Sequence, residues 1–244
     1  ATAELEFRIA ADTPADVKYP VPAAKTLWKA AQHGDAVAVR RPMDMIPAAT
    51  VPKASAPITI DGKLDDWPDA LDLPLPYGWA FDIADRQDLE ARIKLAWDDE
   101  NLYLAVIADD DEFHQPHAGD IVWSADGVQL FIGRWEWGLT LTKAGPEVFL
   151  YKGVNRSEET VNTAVRLAIT QDGTRTIYEA AFPASELAPL ELAPGGVFDF
   201  SLVANDLDPS HPERPRHWAE LTPGVGDAIP GSPRAVFELQ DGNS

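Results

Sequence analysis

Cysteine is absent from the sequence, and its absence excludes several kinds of chemistry. Without a thiol the chain can form no disulfide, no iron–sulfur cluster, no cysteine-ligated zinc site and no thiol nucleophile. Long apolar runs are absent too, because no stretch of the 244 residues approaches the roughly 18–20 apolar residues that a membrane helix needs. The sequence therefore predicts a folded protein without a membrane span.

Basic residues are scarce relative to acidic ones. Twenty Lys and Arg residues face 40 Asp and Glu residues, which gives a formal net charge of −20. We expect no nucleic-acid partner, because phosphate binding needs clustered Lys and Arg side chains. The sequence begins without Met or an apolar leader, so we expect a mature, processed protein or a piece of a longer one. This acidity suits an extracellular or periplasmic location.

Known catalytic motifs are missing as well. The sequence has no G-x-S-x-G, no H-E-x-x-H and no phosphate-binding loop. Its 40 acids permit many carboxylate pairs of the kind that hydrolyse glycosides, and no pair stands out. We therefore expect a protein that is not an enzyme, or a non-catalytic domain of a larger one.

Proline and glycine divide the chain into two parts. Residues 1–57 hold seven of the 21 prolines and a single glycine, Gly34, which interrupts any long helix or strand. We predict an extended arm, a linker or the tail of a neighbouring domain over 1–57. A β domain follows over 58–240, and 241–244 form a short tail.

Short apolar segments separated by polar turns fill the second part. Residues 91–97 and 102–108 are joined by four polar residues, which predicts a hairpin, and Asp172-Gly173 predicts a tight turn. Many short strands and few helical windows favour an all-β antiparallel sandwich. Further strands are predicted at 128–132, 139–142, 148–151, 161–169, 176–182, 198–204, 217–221 and 235–239.

Five blocks of the second part resemble a known family. In order they read ITIDGKLDDWPDA, IKLAWDDENLYLAVIADDD, WSADGVQLFI, TAVRLAI with YEAAFPASEL, and FDFSLVANDLD. Taken together they resemble the family 9 carbohydrate-binding modules and the wider DOMON-like group that shares their jelly-roll-like sandwich. The resemblance covers about residues 58–240. It implies a non-catalytic module that ties a larger secreted carbohydrate-active or surface protein to a polysaccharide or oligosaccharide.

The resemblance also implies a sugar cleft between two tryptophans. The first maps onto Trp123, and a polar acceptor that is usually Glu maps onto Gln129, whose amide can donate to and accept from hydroxyls. The second tryptophan belongs to the loop before the last strand, and the corresponding loop here, 222–233, holds no aromatic residue. This departure favours an alternative, a structural or interaction module that has lost sugar binding and packs on a neighbouring domain.

Tryptophan is the residue type best suited to stack on a sugar ring, and the chain has eight. Trp135 and Trp137 are two apart, so in a strand they share one face. Three roles remain open for this pair: it caps one end of the sandwich, it stacks on a sugar ring, or it forms a protein contact surface. Core positions are predicted for Trp67, Trp97 and Trp218, and the candidate ligand-binding residues are Trp79, Trp123, Gln129, Arg134, Trp135 and Trp137.

Two acidic clusters raise the question of a metal. Asp61, Asp65 and Asp66 form one, and residues 109–112 form the other. Members of the resembled family often carry structural calcium, which binds carboxylate and carbonyl oxygens. No EF-hand spacing occurs, however, and solvated turn carboxylates are the simpler interpretation. We expect no required cofactor, leave structural calcium open and assign no metal ligand.

Two further metal hypotheses concern a transition-metal cluster and a haem ligand. His114 and His117 suggest a transition-metal cluster, although Pro116 prevents a helix from aligning them. Haem-binding proteins share the resembled fold, and an axial ligand here would be Met43, Met45, a His or a Lys. We keep the structured-loop interpretation of the histidines beside the first hypothesis.

Overall fold

Two β-sheets account for nearly all of the regular structure in the computed structural model. It describes residues 48–67, 69–78, 88–154, 160–161, 164–210, 216–226, 228, 232 and 234–241. These residues form thirteen strands: β1 (Ala48–Pro52), β2 (Leu71–Pro74), β3 (Leu89–Trp97), β4 (Asn101–Asp110), β5 (Gly127–Ile132), β6 (Trp135–Thr142), β7 (Gly145–Lys152), β8 (Thr160–Val161), β9 (Arg166–Asp172), β10 (Arg175–Pro183), β11 (Val197–Leu207), β12 (Arg216–Glu220) and β13 (Ala235–Gln240).

Helical structure in the described residues is limited to short pieces. A 3₁₀ helix spans Gly119–Ser124 just before β5, and a four-residue helix, α1, spans Ala184–Leu187 after β10. No helix in the described part of the chain is long and apolar enough to cross a membrane. The strands therefore carry the fold.

The strands form one larger and one smaller sheet. The larger sheet has the order β1-β13-β11-β5-β6-β7-β8, with β12 also paired to β11, and the smaller has the order β2-β3-β4-β10-β9. Apart from β1 and β13, which run parallel, the described pairs are antiparallel. Apolar residues of both sheets share one core, so the predicted β-sandwich is confirmed.

Alternation along each strand decides which side chains enter that core. In β5, Val128, Leu130 and Ile132 are buried, whereas Gln129 and Phe131 between them are only half-buried on the outer face. Period-two alternation is what a strand imposes when one face of its sheet is covered. The largest completely buried side chains are Trp97, Trp137, Phe182, Phe200 and Phe237.

The larger sheet begins earlier than the predicted domain start at residue 58. Ala48–Pro52 lies in the segment assigned to the arm, yet it pairs with β13, and Val51 is completely buried in the core. The indole Nε1 of Trp97 donates to the carbonyl oxygen of Val51 at 3.0 Å, which fixes β1 to the smaller sheet. The remainder of the predicted arm, 1–47, lies outside the described residues, as do residues 242–244 of the predicted tail.

The predicted strands agree well with the observed ones, with one division. β3 and β4 form the predicted hairpin, and Gly173, with φ of +62°, lies in the predicted tight turn between β9 and β10. The single strand predicted at 161–169 is instead two strands in different sheets, because β8 pairs with β7 and β9 pairs with β10. The chain passes from one sheet to the other within this segment.

A buried carboxylate holds the first sequence block in place. Glu179 of β10 accepts hydrogen bonds from the indole Nε1 of Trp67 at 2.8 Å and from the backbone N–H groups of Asp61 and Gly62 at 2.7 and 2.6 Å. Burial raises the pKa of Glu179. Gly62, with φ of +82°, is needed here because a Cβ would come within 2.4 Å of Thr170. The block ITIDGKLDDWPDA is therefore a segment that docks on the smaller sheet.

We expect Glu179→Ala to lower the free energy of unfolding by about 3 kcal/mol, because three donors, two of them buried, lose their acceptor. Glu179→Gln should lose less, since its amide oxygen can still accept. Urea unfolding followed by tryptophan fluorescence measures both, and Glu238→Ala, which removes an exposed carboxylate from β13, is the control. Equal unfolding midpoints for Glu179→Ala and Glu238→Ala would contradict this role.

Candidate functional site

A polar strip crosses the outer face of the larger sheet at β5, β11 and β12. Gln129 lies opposite Val203, and Asn205, two residues further along β11, lies opposite Trp218. Directly paired residues and their i±2 neighbours share a face, so Gln129, Asn205 and Trp218 point to the same side. The alternate side chains of these strands point into the core, and Gln129, Asn205 and Trp218 therefore lie on the outer face.

Trp123 stands at one end of this strip. The 3₁₀ helix Gly119–Ser124 presents its side chain, which is 40% exposed and one of the few large exposed hydrophobic groups in the described residues. The buried neighbour Val122 anchors the same helix. An indole combines a broad apolar face with a polar edge, which suits stacking against the C–H face of a ring.

Arg216 packs against Trp123 and Trp218 together. Its guanidinium carbon lies 4.7 Å from the ring centroid of Trp123 and 5.7 Å from that of Trp218. Its Nη2 atom donates to the backbone oxygen of Trp123 at 3.2 Å. Burial lowers the pKa of Arg216. The guanidinium therefore lies where it can orient both indoles by cation–π contact.

Two donors at this place have no hydrogen-bond partner among the described residues. They are Nδ2 of Asn205 and Nε of Arg216, both buried. The Asn205 side chain keeps a long contact of 3.5 Å between its Oδ1 atom and Nη2 of Arg216. A buried donor without an acceptor costs about 1–3 kcal/mol, so an acceptor supplied from outside would be favourable here.

Gln129 adds a polar group of the opposite kind. Its Nε2 atom donates to Oε1 of Glu136 on β6 at 2.6 Å. No donor among the described residues points at its carbonyl oxygen, so this oxygen can accept from a hydroxyl. Trp123, Gln129, Asn205 and Arg216 thus combine an apolar ring face with both donors and acceptors.

The loop after β12 covers Trp218 where a second aromatic wall could stand. Glu220 accepts from the backbone N–H groups of Gly224 and Gly226, both at 2.7 Å. Gly226 lies so close to the indole that a Cβ there would be 2.4 Å from Nε1 of Trp218. The indole is consequently only 7% exposed. Among the described tryptophans, only Trp123 therefore offers an accessible face to the strip.

A second candidate site lies inside the sandwich, where several strands end. It is made of carboxylates rather than aromatic groups. Three groups of three acids each bring their oxygens within 4.8 Å of one another: Asp110 with Asp126 and Asp206, Asp88 with Asp206 and Asp208, and Asp110 with Asp111 and Asp208.

Burial makes these carboxylates unusual. Burial and the neighbouring acids raise the pKa of Asp110 to about 6, that of Asp126 to about 8 and that of Asp206 to about 9. Backbone N–H groups of His114 and Leu207 donate to Asp126. Neither oxygen of Asp206, which is 1% exposed, has a hydrogen-bond partner among the described residues. Oxygen donors grouped in this way are what a hard cation such as Ca²⁺ prefers.

The two acidic clusters that suggested a metal in the sequence have different surroundings in the structure. Asp110 and Asp111 of the 109–112 run both belong to these groups of acids, and Asp110 is the buried one. Asp61 and Asp66 instead accept backbone hydrogen bonds from Lys63 and Thr59 within their own turn. His114 and His117 belong to none of the grouped ligand candidates in the described residues. Met43 and Met45 lie outside the described residues.

Comparison with known families decides the classification. The family described as carbohydrate family 9 binding domain-like matches residues 60–223. This chain belongs to that family. The resemblance carried by the five sequence blocks is therefore confirmed, and the match covers both the polar strip and the acids of the buried group. A comparison with curated proteins finds no match.

Solved structures share the family 9 fold with this chain. A family 9 carbohydrate-binding module from Caldicellulosiruptor kristjanssonii in complex with cellotriose is 18% identical, with a TM-score of 0.56 over 80% of this chain and 94% of that one. A family 9 module from the same organism in complex with glucose is 16% identical, with a TM-score of 0.54 over 79% and 96%. A candidate carbohydrate-binding protein from Bacteroides uniformis is 12% identical, with a TM-score of 0.56 over 80% and 99%.

The family 9 sandwich places the predicted ligand residues in three different settings. Trp123 and Gln129 come together on the polar strip. Arg134 and Trp135 lie at the opposite end of β5, on a separate pocket. Trp79 lies outside the described residues.

Trp137 cannot serve as a stacking platform in this family 9 domain. It is completely buried and meets Phe182 edge-on, with ring centroids 5.2 Å apart. Trp135 packs against the same core and is only partly buried, because it begins the strand β6. Trp137 is therefore a core residue. Trp67, Trp97 and Trp218 are buried, as predicted.

Two residues of the family 9 strip escaped the sequence analysis. Asn205 lies in the last recognised block, where alternation with the outward-facing Val203 and Ser201 could have placed it outside. Arg216 carries no such pattern, because its position depends on β12 pairing with β11 and on Trp123 lying beside it.

Proposed function

We propose that this chain is a non-catalytic carbohydrate-binding module whose sugar site is formed by Trp123, Gln129, Asn205 and Arg216. The observation that carries this proposal is the exposed indole of Trp123 beside buried donors that lack an acceptor. Membership of the family 9 group supports it. So do the two solved relatives whose complexes contain cellotriose and glucose.

Each residue of the proposed site has a distinct task. The apolar face of a pyranose stacks on Trp123 and removes both surfaces from water. Ring hydroxyls accept from Nδ2 of Asn205 and Nε of Arg216, and a further hydroxyl donates to the carbonyl oxygen of Gln129. Arg216 also holds the Trp123 indole through its contact with the ring and the backbone oxygen. Binding without any bond breaking requires no catalytic group.

The covered Trp218 limits the expected affinity. With the loop at Gly224 and Gly226 closed on this indole, the sugar stacks on one tryptophan rather than between two. We therefore expect modest affinity. A module of modest affinity acts mainly by raising the local concentration, at the polysaccharide, of the protein that carries it. We propose an extracellular or periplasmic role in which it holds a larger carbohydrate-active or surface protein on its polysaccharide.

The same covered indole favours a second function. A family 9 sandwich that lacks an open second wall can serve as a structural or interaction module that packs on a neighbouring domain. The two functions differ in what the exposed Trp123 contacts, a sugar ring or a protein surface. Glycan binding separates them.

We expect Trp123→Ala to weaken binding of cello-oligosaccharides at least tenfold, because the stacking surface is lost. Ten-fold corresponds to about 1.4 kcal/mol. Isothermal titration calorimetry measures it, and Trp123→Tyr should retain part of the affinity with its smaller ring. Ile121→Ala, which removes an exposed side chain from the same 3₁₀ helix, is the matched control and should bind as the parent does.

Two results would count against the sugar site. Undiminished binding by Trp123→Ala would place the ligand elsewhere. A folded protein that binds nothing across soluble oligosaccharides and insoluble polysaccharides would favour the structural module.

We also propose that the buried acids hold a structural Ca²⁺. The residues fit this ion because they offer only oxygen ligands, and both oxygens of Asp206 lack a partner among the described residues. Asp110, Asp126 and Asp206, whose oxygens lie within 4.8 Å of one another, would hold it. The ion would supply positive charge between the sheets and join the ends of β4 and β11 to the start of β5.

We expect added Ca²⁺ to raise the melting temperature and EDTA to lower it, by roughly 5–10 °C at a concentration about 100 times the Kd. Differential scanning calorimetry measures this change. Asp206→Asn should abolish the calcium increment, because its neutral amide is a weaker ligand than a carboxylate. Near neutral pH it should melt as the parent does in EDTA, because the raised pKa leaves the Asp206 carboxyl uncharged without the ion. The control Glu238→Gln removes an exposed charge and should keep the increment. Identical melting with Ca²⁺ and EDTA would contradict the site.

A further inference from the structure

A pocket of about 610 Å³ opens at the end of β5 that lies away from Trp123. Trp123 precedes the first residue of β5, Gly127, whereas the pocket is built around its last residue, Ile132, and the turn to β6. Six strand residues at about 3.3 Å each separate the two places by roughly 20 Å. The pocket and the polar strip are therefore separate sites.

The pocket has the opposite charge from the rest of the protein. Arg134, Lys152 and Arg234 line it, together with a single acid, Asp199. In the whole chain acids outnumber bases 40 to 20, so this local excess of positive charge runs against the composition. A basic site on an acidic surface attracts an anion while the surrounding surface repels it.

Among the described residues, no carboxylate forms an ion pair with these three bases. Lys53 pairs with Asp99 at 2.6 Å, and Arg175 pairs with Asp109 at 2.7 Å. Within the described residues, Arg134, Lys152 and Arg234 form no ion pair. Within the described part of the chain, the three cations that line the pocket face a single carboxylate, that of Asp199.

Arg234 is fixed in position before any ligand arrives. Its Nη1 atom donates to the backbone oxygen of Gly133 at 2.5 Å, and its guanidinium carbon lies 4.4 Å from the ring centroid of Phe131. Arg134 and Lys152, by contrast, are exposed. The held Arg234 needs little further ordering to bind an anion, whereas the exposed Arg134 and Lys152 side chains are ordered on binding at an entropic cost.

The remaining wall of the pocket is apolar. Trp135, Pro189, Leu190 and Phe198 contribute to it. The Nε1 atom of Trp135 donates to the backbone oxygen of Ala188 at 2.6 Å, which fixes the indole at the pocket. A ligand that fits both walls needs an apolar ring face and a negative charge.

We propose that this pocket binds an acidic sugar unit, a pyranose that carries a carboxylate. The C–H face of the ring packs on Trp135, and the carboxylate accepts charge-assisted hydrogen bonds from Arg234, Arg134 and Lys152. The site is separate from the strip at Trp123, so the module would contact two parts of one polysaccharide, or two different chains.

Trigalacturonate is the probe, with its methyl ester as the matched ligand that keeps the rings and removes the charge. Calorimetry should show binding of the acid, at least tenfold weaker binding of the ester, and weaker binding of the acid as NaCl rises. The double variant Arg134→Glu/Lys152→Glu should bind trigalacturonate at least tenfold more weakly than the parent. Lys143→Glu reverses an exposed basic charge outside the pocket and should bind within twofold of the parent.

The proposals for the two sites can be refuted independently. Trp123→Ala should leave trigalacturonate binding unchanged, so a failure of cello-oligosaccharide binding does not touch this proposal. The proposal is overturned if trigalacturonate does not bind, or if the double variant binds it as well as Lys143→Glu does. It is likewise overturned if the ester binds equally or if inorganic sulfate competes at the same concentration.

Discussion

The constraint on which the structure depends is that each long strand must give one face to the core shared by the two sheets. In β11 this places Phe200 and Leu202 inside, and the same alternation continues to the end of the strand. Asn205 consequently faces outward to the polar strip, whereas Asp206 faces inward to the buried acids. Two adjacent residues thus belong to two different proposed sites because a strand has two faces.

That constraint also explains what the sequence could predict. Alternating apolar residues and tight turns are local features, so the β3–β4 hairpin and the turn at Gly173 could be read directly. Ordered blocks identified the family, since several weak motifs in one order are together specific. Trp123 and Gln129 could be proposed as ligand residues because the block WSADGVQLFI contains both.

Features that depend on long-range pairing could not be predicted in the same way. The buried acids come from separate segments, and nothing local distinguishes Asp206 from a turn carboxylate at the surface. Trp137 was assigned to ligand binding because two tryptophans at i and i+2 share a face, but which face they share depends on the neighbouring sheet. β1 was missed because a five-residue strand between prolines shows its role only beside β13.

The loop after β12 limits the space beside Trp123 in the proposed sugar site. Glu220 and Gly226 hold the loop against Trp218, and Arg216 lies against both indoles. The space next to Trp123 is therefore defined by a guanidinium and a closed loop. In the proposed sugar site, hydrogen bonds to Asn205 and Gln129 would therefore contribute more to selectivity than stacking does.

The parallel pairing of β1 with β13 bears on how this domain resists mechanical force. Pro52 lies beside Gln240, and the backbone N–H of Lys53 donates to the oxygen of Gln240 at 2.9 Å. Because the two strands run in the same direction, a pull on the chain before Ala48 and after Gln240 acts along both of them in opposite senses. It loads their hydrogen bonds in shear, so the bonds must break together rather than unzip one by one.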